Sequence, residues 1–266
     1  MAAYHPKMRL GQHFLTSTDI IDRIIAVINP TAGDIIVEIG PGRGALTLPL
    51  AESGAGLVAI EFDEDVIGHL RKLLKGRDNV RLINTDFLTF EPDPDRLGSF
   101  VLIGNLPYNI TSPVMDWCYR HRESISRAVF MIQRELARRI AGRPGSRDWS
   151  PLSIFTQLWF DVRICFDVSP DAFQPPPEVT SSVIELTPRQ APDIPDYERF
   201  ERLVRQAFVH RRKQLVNNLT PELVASIDEI HAILDNLGLK RSVRAEELSL
   251  EMFLTLTDRL IARNIL

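Results

Sequence analysis

The chain of 266 residues is 44% hydrophobic and 25% charged, with two cysteines and a net charge of −4. This composition is typical of a globular protein of one or two domains and excludes a wholly disordered chain. Cys118 and Cys165 lie too far apart in sequence to form a disulfide framework or a zinc site by themselves, and no metal is expected. No apolar run has the length of a signal peptide or a membrane span, so the default prediction for the compartment is the cytoplasm.

Positive charge is concentrated in two segments of this acidic chain. Residues 120–147 carry eight arginines against two glutamates, and residues 199–213 carry six basic residues against one glutamate. The net acidity argues against nucleic-acid binding, whereas the separation of charge permits a surface that binds a polyanion. Two solvated helix faces would give the same pattern, so charge alone does not decide.

The first two-thirds of the chain alternates short runs rich in Val, Ile and Leu with helix-like stretches. Such alternation predicts an α/β fold, with a parallel, doubly wound sheet and helices on both faces. The predicted strands are 34–39, 57–61, 80–83, 100–104, 128–132, 162–168 and 179–186. The helices predicted in this part of the chain are 19–28, 45–53, 64–75 and 112–120.

The pattern changes at residues 188–195, where three prolines among polar residues predict a linker. Beyond this linker, apolar side chains at helical spacing predict helices at 197–210, 228–237 and 249–261. We therefore expect two domains, a sheet-containing domain at residues 1–188 and a small all-helical domain at residues 189–266.

The first strand runs into a glycine-rich turn at residues 40–44 that opens the next helix. Glycine permits a tight turn and lets the backbone approach a ligand closely. Glu61 ends the second strand and is placed to accept hydrogen bonds from ribose hydroxyls. These features predict a site for an adenosine-containing cofactor. They do not choose the cofactor, because Gly40, Gly42 and Ala45 also fit the dinucleotide pattern G-x-G-x-x-A.

Two further features follow the third and fourth strands. Asp86 can accept a hydrogen bond from the amino group of an adenine, although an aspartate at the end of a strand is also a common helix cap. Asn105-Leu106-Pro107-Tyr108 lies at the carboxyl end of its strand, where open α/β sheets place ligands. The Asn105 oxygen and a backbone carbonyl can accept both N–H bonds of an adenine amine and expose its lone pair. Pro107 stiffens the loop and Tyr108 offers a stacking surface.

This chemistry indicates methyl transfer from a sulfonium to an exocyclic amine. The step is an in-line displacement governed mainly by positioning, so it requires no strong base. The lack of an obvious catalytic histidine is consistent with it.

These motifs, in this order, resemble those of the ribosomal RNA adenine N6-dimethyltransferases, the KsgA family. Residues 11–15 (GQHFL) resemble the N-terminal motif that closes over the methionine side of S-adenosylmethionine. Residues 172–179 (AFQPPPEV) resemble the late motif whose Phe stacks the target adenine opposite the tyrosine. The segment 207–213 is also family-like, so the resemblance covers nearly the whole chain.

The resemblance implies a Rossmann-like fold that uses S-adenosylmethionine. The implied cofactor contacts are His13, Leu15, Gly40, Glu61, Asp86 and Asn105. The implied contacts to the target base are Asn105, Leu106, Pro107, Tyr108 and Phe173. Asn is commoner in the family where this chain has His13. Either side chain can donate a hydrogen bond, so the cofactor site is expected to be retained, and a contact through His13 can depend on pH. Without the family motif, Phe173 is better explained as a core residue or a loop plug.

The implied reaction is dimethylation of N6 on two adjacent adenosines near the 3′ end of small-subunit (16S) rRNA, late in assembly of the 30S particle. The family also implies a monomer. We predict an RNA-facing surface that consists of Arg134, Arg138, Arg139, Arg143, Arg211, Arg212 and Lys213.

Other hypotheses stay open at this point. The related large-subunit rRNA adenine methylases, which confer macrolide resistance, share the cofactor and NLPY-like motifs. The triple proline and the Arg-Arg-Lys segment favour the small subunit. A second alternative is a ribosome-assembly factor whose binding matters more than its catalysis. A nicotinamide-dependent oxidoreductase is disfavoured, because the NLPY segment supplies no acid or base for hydride transfer. The residues alone do not distinguish monomethylation from dimethylation.

Overall fold

The structure is a computed structural model that describes residues 13–190, 192, 194 and 196–266. The strands are β1 (Phe14–Leu15), β2 (Ile35–Ile39), β3 (Gly56–Glu61), β4 (Val80–Asn84), β5 (Phe100–Asn105), β6 (Ile125–Gln133), β7 (Phe160–Val168), β8 (Phe173–Gln174) and β9 (Ser181–Pro188). The helices that precede the prolines of the predicted linker are α1 (Thr18–Ile28), α2 (Thr47–Glu52), α3 (Glu64–Leu73), α4 (Pro94–Leu97), α5 (Thr111–Arg120), α6 (Arg134–Ile140) and α7 (Pro151–Trp159). Those that follow are α8 (Tyr197–Ala207), α9 (Leu215–Leu219), α10 (Ile227–Asn236) and α11 (Leu250–Ile261).

Seven of the strands form one sheet in the order β4-β3-β2-β5-β6-β9-β7. The five strands from β2 to β6 pair in parallel, which confirms the predicted α/β class. The sheet is not parallel throughout, because β9 lies antiparallel between β6 and β7. The connection from β7 to β9, residues 169–180, contains no α-helix, and antiparallel neighbours, unlike parallel ones, need no crossover helix.

The strands at the centre of the sheet are largely apolar because both of their faces are covered. Every residue of β5 up to Gly104 is buried, and so are the last four residues of β2. Strands covered on both faces are typically continuous apolar runs, and this is the pattern that made them recognisable in the sequence. On α1, Ile20, Ile24 and Ile28 recur at helical spacing and are buried in this core.

Residue contacts divide the chain into two compact units. One comprises Met1–Ala137 and Phe160–Pro188, and the other comprises Arg138–Trp159 and Arg189–Leu266. The described residues of the second unit are helical and contain no strand of the main sheet.

This grouping differs from the predicted boundary for residues 138–159, which the sequence prediction placed with the sheet. Within the second unit, the Phe155 ring of α7 lies 6.4 Å from Phe200 of α8. Trp149 Nε1 donates a hydrogen bond to the Leu248 carbonyl at 2.8 Å. Contacts between distant segments therefore set this boundary, and no local composition change marks it. In the described part of the chain, no helix has the length and apolar character needed to cross a bilayer.

Candidate active site

A cavity of about 310 Å³ lies at the carboxyl ends of β2, β3, β4 and β5. Strand β5 follows β4 in the chain but pairs on the other side of β2, so the connections diverge at this point of the sheet. Open α/β sheets bind ligands where this reversal occurs. The cavity brings together every sequence-predicted cofactor and base contact, namely His13, Leu15, Gly40, Glu61, Asp86, Asn105, Leu106, Pro107, Tyr108 and Phe173. Gly11 and Gln12 of the N-terminal motif lie outside the described residues.

The glycine-rich turn forms one wall of the cavity. Gly40 and Gly42 have φ angles of 61° and 54°, in the left-handed region that favours glycine. The Gly40 N–H donates to the Ile60 carbonyl at 2.9 Å, which ties the turn to β3. A Cβ on Gly42 would lie 3.3 Å from the Phe14 ring, so this glycine lets β1 pack directly on the turn.

The floor of the cavity carries a buried carboxyl group that sequence reasoning missed. Glu38 is only 2% exposed, and its Oε2 atom has no hydrogen-bond partner among the described residues. Burial raises the pKa of Glu38 from 4.5 to about 8, the Thr47 hydroxyl lowers it, and the Glu61 charge raises it. The sequence feature that indicates this group is a charged residue inside the otherwise apolar run of β2.

Glu61 and Asp86 occupy the positions that the sequence predicted. Burial raises the pKa of Glu61. The Asp63 N–H, which donates to Glu61 Oε1 at 2.9 Å, opposes this effect and lowers the pKa. Asp86 Oδ1 accepts the Leu88 N–H at 2.9 Å and so begins a short 3₁₀ helix. Asp86 is therefore both a cap and a cavity residue, and the two interpretations of it are compatible. A pocket lined by several carboxyl groups suits a cationic ligand.

The segment after β5 presents its polar groups to the same cavity. Asn105 Nδ2 donates to the His13 carbonyl at 3.2 Å, which turns the amide oxygen to the opposite side, as an acceptor. The Pro107 carbonyl accepts the Ile110 N–H at 3.1 Å and closes a turn before α5. The Tyr108 hydroxyl lies 3.0 Å from Ser181 Oγ at the start of β9.

Strands β1 and β8 form a small antiparallel pair that completes the cavity wall. Leu15 pairs with Phe173, and His13 Nδ1 lies 2.8 Å from the Pro175 carbonyl, which it reaches as an N–H donor. The His13 ring also stacks on Tyr108, with 6.2 Å between ring centroids and 26° between planes. Phe173 is 5% exposed and lines the cavity, so it belongs both to the core and to the site.

The predicted RNA-facing residues are distributed over both units. Arg134 forms an ion pair with Asp167 at 3.8 Å. In the second unit, Arg211 Nε bonds to Glu246 at 2.6 Å, and its Nη2 donates to the Ser146 carbonyl at 3.0 Å. Arg211 is therefore partly neutralised and holds two loops together. The remaining residues of the set are exposed, namely Arg138, Arg139, Arg143, Arg212 and Lys213.

The fold and the site together define a Rossmann-like, S-adenosylmethionine-dependent methyltransferase. The residues fit this cofactor, because Glu61 and Asp86 line the cavity and complement its positive charges, and the buried Glu38 oxygen has no hydrogen-bond partner among the described residues. A family model described as ribosomal RNA adenine dimethylase matches residues 4–262. The chain belongs to the ribosomal RNA adenine dimethylase family, as the sequence resemblance predicted, and is an rRNA adenine dimethyltransferase.

Individual relatives agree with this assignment. The ribosomal RNA small subunit methyltransferase A of Pseudomonas putida is 40% identical over 263 residues, which cover 97% of this chain and 96% of the relative. A dimethyladenosine transferase from Plasmodium falciparum has a TM-score of 0.82 at 26% identity and covers 95% of this chain and 99% of its own. The 23S rRNA methyltransferase ErmE has a TM-score of 0.73 at 30% identity, covering 93% and 99% respectively.

Proposed function

We propose that the chain dimethylates N6 of two adjacent adenosines near the 3′ end of 16S rRNA, late in assembly of the small ribosomal subunit. The observation that carries the proposal is that the carboxylate-lined pocket and the Asn105–Tyr108 segment share one cavity. The small-subunit methyltransferase of Pseudomonas putida, 40% identical over nearly its whole length, supports the choice of subunit.

The cofactor side of the cavity is assigned by its hydrogen-bonding groups. When bound, S-adenosylmethionine supplies an electrophilic methyl group on a sulfonium. The Glu61 carboxylate accepts hydrogen bonds from the ribose hydroxyls, because Glu61 is the last residue of β3 and lines the cavity together with the glycine-rich turn. The Asp86 carboxylate accepts a hydrogen bond from the adenine amino group of the cofactor. Gly40, His13 and Leu15 line the part of the cavity that holds the methionine portion.

The acceptor side is assigned to residues 105–108 and Phe173. The Asn105 oxygen accepts one N–H of the target amine, and a backbone carbonyl of the same segment accepts the other. This withdraws the nitrogen lone pair from the ring and directs it at the methyl carbon. Tyr108 and Phe173 stack on the two faces of the extruded base. No protein base is required, because the methylated amine is positively charged and releases its proton to water.

The exposed arginines and Lys213 contact the phosphates of the RNA. Such binding does not require a positively charged protein, because basic residues that are clustered on a surface attract phosphates locally. We propose that the protein acts as a monomer on the assembling 30S particle in the cytoplasm.

The proposal is tested by transfer of labelled methyl groups from S-adenosylmethionine to small subunits that lack the modification. Large subunits from unmethylated ribosomes serve as the competing substrate, since ErmE, a 23S rRNA methyltransferase, has a similar structure. We expect the label in N6,N6-dimethyladenosine from the small subunit. Label confined to the large subunit, or to monomethyladenosine, would contradict the proposal.

A further inference from the structure

We propose that Ser181 is a positioning residue for the acceptor pocket, and that its hydroxyl holds the Tyr108 ring in position against the target base. The inference rests on the proposed function, because it assumes that Tyr108 is the stacking surface. Ser181 is not one of the residues that line the cavity, and the family resemblance implies no role for it; its side chain contacts the hydroxyl end of Tyr108.

Ser181 is a fixed anchor for this contact. It is the first residue of β9, is 1% exposed, and pairs in register with Gln133 on β6 and Val168 on β7. The carbonyl of the preceding residue, Thr180, accepts the Arg134 N–H at 3.0 Å. Neighbouring strands on both sides therefore fix the backbone from which the Ser181 hydroxyl projects.

Tyr108, by contrast, lies on a half-buried loop. The turn between Pro107 and Ile110 holds its backbone, and the His13 ring lies against one side of the phenol. The hydroxyl group is at the far end of the ring, 3.0 Å from Ser181 Oγ. Rotation about the Cα–Cβ bond swings the whole ring and moves its hydroxyl end most, so this hydrogen bond restricts that movement.

Orientation matters here because methyl transfer depends on geometry. The stacked base must hold its amine in line with the methyl group, and small misplacements lower the rate of such reactions steeply. Loss of the Ser181 hydroxyl would leave the cofactor contacts intact and free the ring. The rate of the chemical step should then fall by about tenfold, which corresponds to the loss of roughly one hydrogen bond.

Ser182 provides a matched control on the same strand. It is also buried, but its Oγ donates to Asp167 at 2.6 Å, and the side chain does not line the cavity. Ser182→Ala removes a buried serine hydroxyl from β9 without affecting Tyr108. A general weakening of the strand would therefore appear in both alanine variants.

The test is a double-mutant cycle in single-turnover methyl transfer to small subunits at saturating S-adenosylmethionine. We expect Ser181→Ala and Tyr108→Phe each to slow the step about tenfold, and the double variant to be no slower than either, because both remove the same hydrogen bond. Cofactor affinity should stay within about twofold for Ser181→Ala, and Ser182→Ala should retain the wild-type rate.

A wild-type rate for Ser181→Ala, or effects that multiply in the double variant, would overturn the inference. If Ser181→Ala does not fold, Tyr108→Phe removes the bond from the loop side and decides alone: a slowed rate supports the inference, and an unchanged rate overturns it. Failure of the proposed function gives a different result, since the wild-type protein would then transfer no methyl group to the small subunit.

Discussion

Replacing Glu38 by glutamine should change how the stability of the cofactor-free protein depends on pH. Burial raises the pKa of this carboxyl group from 4.5 to about 8 in the folded protein. In the unfolded chain the same group ionises near its ordinary value. Between these two pH values the folded protein retains a proton that the unfolded chain has released, so the stability of the wild type falls as pH rises.

The size of the effect follows from this linkage. Each pH unit between 4.5 and about 8 changes the unfolding equilibrium constant by at most about a factor of ten through this one group. Burial also raises the pKa of Glu61, which contributes in the same direction in both proteins. Subtracting the Glu38→Gln variant from the wild type therefore isolates most of the contribution of Glu38.

Urea unfolding of both proteins at pH 5, 6, 7 and 8, without cofactor, measures this difference. We expect the free energy of unfolding of the wild type, relative to Glu38→Gln, to decrease steadily across the series. Bound S-adenosylmethionine should reduce this slope, because a nearby positive charge favours the ionised carboxylate. Parallel stability curves for the two proteins from pH 5 to 8 would show that Glu38 is not protonated in the folded state.

Three further predictions concern catalysis, RNA binding and packing. Asn105→Ala should lower the single-turnover rate by about 10²–10³-fold, while gel-shift binding of small subunits persists. If binding and its effect on subunit assembly carried the function, that variant would support assembly normally in cells. Arg212→Glu should weaken small-subunit binding and lower its salt dependence without changing cofactor affinity, as measured by titration at several salt concentrations. Gly44→Ala should destabilise the protein by about 1–3 kcal/mol more than Gly76→Ala in thermal or urea unfolding. Both glycines have positive φ, but only at Gly44 would a Cβ meet Leu73, at 2.8 Å.

The sequence was sufficient for the parts of the fold that local pattern encodes. The apolar runs of β2, β3 and β5 and the helical spacing of α1 and α8 are found within a few residues of the prediction. The glycine turn and the acidic residues at the strand ends were also placed correctly at one sheet edge. These features depend on periodicity and on backbone conformation, which are properties of short segments.

Features set by distant contacts were not predictable in the same way. Strands β1 and β8 have two residues each, so they carry no period, and they exist because they pair with each other. The placement of β9 beside β6 likewise depends on a partner far away in the chain. Glu38 was missed because its burial and its unpaired oxygen become visible only once the sheet is assembled.

The pairing of Phe14–Leu15 with Phe173–Gln174 has a consequence for synthesis of the protein. The two partners are made at opposite ends of the sheet-containing unit, and closing so long a loop is slow relative to forming local structure. The first residues of the pair must wait on the ribosome until the later ones have emerged from the exit tunnel. A nascent chain that has already formed β2 to β5 consequently still has an open pocket. The enzyme thus acquires the cavity wall formed by β1 and β8 only after most of its own translation is complete.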